Sequence, residues 1–136
     1  MSVNSVRRCI GISAAVLAMT ATPVVATAAA APVIPPDQLP TAGPPMEPAP
    51  GQYSYIATHA VTRQAQAMKV ADGIASMPVP LQYRPANLAL AAQFDSAVTS
   101  ALRSPGGCVQ VIVDPNSKAG NLFNYGFFPV AGRYCE

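Results

Sequence analysis

The stretch PANLALAAQFDSAVTSALRSPGGCVQVIV, residues 85 to 113, changes its periodicity partway along. Up to Arg103, apolar residues recur at helical spacing: Leu90/Ala91, Phe94, Ala97/Val98 and Ala101/Leu102, with Gln93, Ser96, Ser100 and Arg103 opposite. A 3.6-residue period of this kind predicts an amphipathic helix that buries its apolar stripe. Pro85 suits the first turn, where a backbone donor is not needed, and Ser104-Pro105-Gly106-Gly107 stops the helix. After the glycines, Cys108-Val-Gln-Val-Ile-Val113 is short and β-branched, which predicts a strand.

Downstream, Leu122 to Phe128 alternates, with Phe123, Tyr125 and Phe127 on one face. The intervening Asp114 to Asn121 is dense in turn formers, so the two strands read as a β-hairpin with a longer loop. An isolated hairpin is marginal in water and must lay an apolar face on other elements. The opposite face, carrying Leu122, Asn124, Gly126 and Phe128, is then available to recognise a partner or a glycan.

Upstream, from about Gln52, Ile56/Ala57, Ala60/Val61, Gln64, Ala67/Met68, Ala71 and Ile74/Ala75 fall on one stripe. Thr58, Thr62, Gln66 and Lys69 fall opposite. This predicts a first helix ending before Pro78 and Pro80. The expected fold is α+β: a two-helix hairpin followed by a β-hairpin, over residues 52–136. Cys108 opens the first hairpin strand and Cys135 is the penultimate residue; in an exported chain they form one disulfide.

The preceding residues have two characters. Residues 1–30 carry Arg7-Arg8, an apolar run from Ile10 to Val25, and small residues around Ala28 and Ala30. That order predicts a secretory signal peptide, cleaved after Ala30 or Ala28, which takes Cys9 with it. The arginine pair also admits a twin-arginine route. Residues 31–51 contain eight prolines, a composition that predicts a semi-extended flexible tether. The Ala- and Pro-rich first fifty residues resemble those of small exported proteins of high-GC bacteria; the resemblance is compositional and carries no site.

Without Arg7 and Arg8 the remaining six basic and six acidic residues balance, and they are scattered singly. Nucleic-acid binding needs clustered Lys and Arg, so this class is excluded. No G-x-S-x-G elbow or phosphate-cradling glycine loop occurs. Cys108 acting as nucleophile with His59, the only histidine, competes directly with the disulfide. Tyr55 and His59 stand at i and i+4 of the expected helix, where they offer a pair of ligands to haem iron. A metal ion needs more ligands than are nearby. Tyr55, His59 and Phe128 form the speculative ligand-binding set.

These readings predict a small non-enzymatic domain, secreted or associated with the cell envelope, acting through protein or glycan contact. Once its signal is removed it has no stable membrane span. Two alternatives stand beside it. One is a carrier of haem or another hydrophobic ligand; the other is an inhibitor-like module that presents the 114–121 loop.

Overall fold

A computed structural model describes residues 33–117 and 124–136. The expected signal peptide, and Leu122 and Phe123 of the hairpin, lie outside the described residues. The architecture is α+β, with helices packed on one face of a three-stranded antiparallel sheet.

The strands are β1 (Tyr53–Ile56), β2 (Cys108–Asp114) and β3 (Asn124–Val130), in the order β1-β2-β3. β2 is therefore central, as its buried β-branched run requires. β1 corrects the expected first helix: Tyr53-Ser-Tyr-Ile56 pairs with Val113 to Gln110. Aromatic and β-branched residues favour this pairing, and the open edge of β2 overrides the weak helical pattern. β3 runs two residues further than expected, and Pro129 is tolerated because β3 is an edge strand.

The helical part of that first segment is divided into α1 (His59–Ala67) and α2 (Val70–Ala75). Lys69 stands between them in the left-handed region, at φ 52° and ψ 48°, and breaks the axis. Thr58 caps α1 by accepting from the Val61 backbone N–H. The buried face of α1 is the reverse of the expected one. Thr62 is 2% exposed, whereas Val61 is 48% and Met68 68% exposed. Backbone satisfaction explains the reversal. β1 leaves β2 after Ala57 N–H donates to Val109 O, and the Val109 N–H then donates to the Thr62 hydroxyl at 3.2 Å. A buried donor left alone costs more than a methyl group gains, so the threonine faces inward.

α3 (Arg84–Arg103) follows a single 3-10 turn at Leu81–Tyr83 and packs against α1, α2 and the sheet. Its stripe is buried as the periodicity predicts: Ala91, Ala97, Val98 and Ala101 are at most 2% exposed. Phe94 meets Phe127 edge-to-face at 5.2 Å between ring centres. Ser96 and Ser100, expected to face outward, are also buried. Asn87 Nδ2 donates to Ile74 O at 2.6 Å, which fastens α3 to α2.

The helix-to-strand turn is closed by Gly107, where a Cβ would collide with the Ala101 carbonyl. The disulfide joins Cys108 to Cys135, with Cα atoms 5.9 Å apart, and ties the C-terminal turn Gly132–Tyr134 to the start of β2.

The proline-rich stretch expected to be a flexible tether is, from Gly43 onward, laid against the sheet. Gly43 pairs in parallel with Val130: Gly43 N–H donates to Pro129 O and Ala131 N–H to Gly43 O. Met46 then lies over Gln110 on the face turned away from the helices. Gln110 Oε1 accepts from Met46 N–H at 2.7 Å, and Gln110 Nε2 donates to Met46 O at 2.7 Å and to Ser54 Oγ at 2.8 Å. Prolines cannot supply ladder donors, so a side-chain amide performs the pairing that a strand would otherwise provide. Gln110 is 1% exposed as a result.

Candidate functional site

Period-two alternation divides the sheet into two faces. Val109, Val111 and Phe127 point toward α3. Gln110, Ile112, Asp114, Asn124, Gly126 and Phe128 share the other face through the pairs Gln110–Phe128, Ile112–Gly126 and Asp114–Asn124. The docked strap covers Gln110 but stops short of the far end, and a groove of about 260 Å³ remains there. Its floor is Ile112, Gly126 and Phe128; its walls are Glu47 and Gln52 from the strap and Asp114 and Asn124 from the hairpin.

Gly126 determines how Phe128 sits. A Cβ on Gly126 would stand 2.7 Å from the Phe128 ring, so the ring occupies the space that any side chain at 126 would take. The polar walls keep bonding capacity in reserve. Asp114 Oδ1 accepts from Asn116 N–H, leaving its second carboxylate oxygen. Gln52 Oε1 accepts from Ala49 N–H, leaving its amide donors. The result is an aromatic platform flanked by planar acceptors and donors, with two carboxylates and no cation among its described lining residues.

A second groove lies around the edge of β3, on the helix side. It holds about 370 Å³ between the 3-10 turn, the first turns of α3 and Tyr125. Val79, Pro80, Tyr83, Ala86 and Leu90 form an apolar wall, and Asn87 is the only amide among its described lining residues. Tyr125 contributes to both grooves.

The structure does not bring the three speculative ligand residues together. Tyr55 is in β1, exposed, and registered with Val111, on the sheet face opposite to Phe128. His59 opens α1, and its Nδ1 lies 2.7 Å from Gly107 O. The expected Tyr-x-x-x-His pair on one helix is therefore not formed. Cys108 is committed to the disulfide. Among the described residues no three His, Cys, Asp or Glu side chains approach closely enough to hold a metal ion.

Asp95 of α3 faces Asp72 of α2 across a cleft of about 70 Å³ that Lys69 also lines. Burial, and then the Asp72 charge, raise the Asp95 carboxyl above its ordinary range.

Of Tyr55, His59 and Phe128, it is Phe128 that lines the groove on the strap side of the sheet. Asn124 and Gly126, which alternation puts on the same face, accompany it. Glu47 and Gln52 carry no site signal in the sequence, because only the path of the strap across the sheet brings them there. Tyr83 lines the apolar groove together with Leu90, which belongs to the stripe assigned to the core. No family model matches the chain, and no curated protein or solved structure matches it.

Proposed function

We propose that the protein is a small non-enzymatic exported domain that binds a neutral glycan in the groove over Phe128. The carrying observation is the Phe128 ring held over Gly126 and flanked by Glu47, Gln52, Asp114 and Asn124. A sugar ring presents an apolar C–H face to an aromatic platform and hydroxyls to planar side-chain acceptors and donors; both are supplied here. The two carboxylates favour neutral sugars over uronic acids. The disulfide supports an oxidising compartment, and no described helix is long and apolar enough to cross a membrane.

The test is a titration of the ¹⁵N-labelled protein with cellotetraose, chitotetraose, maltotetraose and an oligogalacturonate. At least one neutral oligosaccharide is expected to shift Asn124 and Gly126 amides, with Phe128→Ala weakening it about tenfold, equivalent to ~1.4 kcal/mol. No response at these amides to any neutral sugar, or tightest binding of the uronate, would overturn the proposal.

The apolar groove favours a second reading, a carrier of a hydrophobic ligand. It is walled by tyrosine, proline and leucine and falls within the size range of small-molecule pockets.

A further inference from the structure

We infer that the two grooves form one site for a sugar-headed amphiphile, whose head rests on Phe128 and whose apolar tail enters the groove beneath Tyr83. This inference rests on the glycan reading and extends it. Two observations and one physical argument carry it.

First, the two grooves divide polarity between them. The one over Phe128 holds Glu47, Gln52, Asp114 and Asn124. The one on the helix side is lined by Val79, Pro80, Tyr83, Ala86 and Leu90, with no charged residue among its described lining. An apolar groove of about 370 Å³ is a poor match for the rest of a hydrophilic oligosaccharide, whose hydroxyls would lose their water without gaining partners.

Second, Tyr125 is common to both linings. It sits on β3 with its ring 5.6 Å from that of Phe127 on the helix side, while its neighbour Gly126 belongs to the other face. A ligand that passes from one groove to the other crosses the edge of β3 at this point. β3 is the outer strand, and the described strap pairs with its edge at Pro129 and Val130, through Gly43. At Gly126 the Phe128 ring takes the place of a side chain, and the ligand crosses over that ring.

Third, an amphiphile needs its polar and apolar parts recognised at once. Joining two weak sites through one ligand makes the second contact intramolecular and raises affinity without any new contact. Either groove alone is small and open; the pair supplies what neither does.

The test compares n-octyl β-D-glucopyranoside and n-octyl β-D-maltopyranoside, below their micelle-forming concentrations, with the matching methyl glycosides and with 1-octanol. The full-length, disulfide-bonded protein is used, ¹⁵N-labelled. At least one octyl glycoside is expected to bind at least tenfold tighter than both its methyl counterpart and octanol, and to shift Leu90 and Gly126 together. Ala86→Arg, at an exposed position of α3, fills the apolar groove with a good helix former. It should reduce the octyl glycoside to the affinity of the methyl glycoside, while the methyl glycoside is unaffected. Octyl glycosides that bind no tighter than methyl glycosides, with Gly126 still responding, would overturn the amphiphile and leave the glycan reading standing. Octyl glycosides that shift Leu90 but never Gly126 would overturn both.

Discussion

The Phe128 ring lies over Gly126, filling the position where a side chain at 126 would stand. The two residues project from the same face of β3, two positions apart, so the ring is folded back along its own strand. Gly126→Ala places a methyl group within 2.7 Å of ring atoms at the flexible end of the side chain. The ring therefore swings away while the backbone stays in place. The expected outcome is glycan affinity reduced about as far as in Phe128→Ala, roughly tenfold. Urea unfolding should place stability within about 1 kcal/mol of the parent. Unchanged affinity in Gly126→Ala would show that the ring's placement does not matter to binding.

The clasp between Gln110 and Met46 joins the strap to the sheet, and it explains why a proline-rich segment packs at all. Gln110→Leu removes three hydrogen bonds, at 2.7, 2.7 and 2.8 Å. Met46 and Ser54 are exposed and regain water, so the cost stays near 2 kcal/mol rather than the sum of three buried losses. Freed from the sheet, the Met46 backbone amide should exchange its hydrogen with solvent far faster than in the parent. Equal exchange rates would contradict the clasp.

Removing the disulfide releases a loop with a sequence separation of 27 residues. Loop-closure entropy then predicts a loss of about 3.5 kcal/mol in the double Cys→Ser protein, measured by urea unfolding. The C-terminal turn should lose its protection from carboxypeptidase at the same time. A loss under about 1 kcal/mol would mean that packing around Gly132 already holds the tail.

Asp95 gives the stability a definite pH dependence. Its carboxyl is raised by burial and by Asp72, so the folded state holds the proton to higher pH than the unfolded state does. Stability therefore falls as pH rises from the ordinary carboxylate range through the raised value, and the penalty persists above it. Asp95→Asn should raise the thermal midpoint at pH 7, and the gain should vanish below pH 4. A gain independent of pH would assign the effect to packing instead of charge.

The sequence made α3 and β2 legible because both obey a single period and are bounded by strong breakers, Pro85 and Pro105-Gly106-Gly107. The disulfide was legible from the position of Cys108 and Cys135. β1 was not, since Tyr53 to Ile56 fits either period and only the open edge of β2 decides between them. The inverted face of α1 was hidden for a related reason: Thr62 is buried to satisfy Val109 N–H, a need created by a strand 47 residues away. Proline content marked the strap as a segment short of ladder donors. It gave no sign that Gln110 would hold the strap down. The Phe128 side of the candidate groove was readable from alternation along β3, whereas its Glu47 and Gln52 wall depends on that same long-range clasp.

The central claim, that a neutral sugar stacks on the Phe128 platform, is tested most directly by nuclear Overhauser effects in the labelled complex with the tightest oligosaccharide. The account predicts contacts from sugar ring C–H protons to the Phe128 aromatic protons and the Gly126 Hα atoms, lost in Gly126→Ala. Contacts confined to other surfaces, such as exposed Tyr53 and Tyr55 on β1, would contradict it.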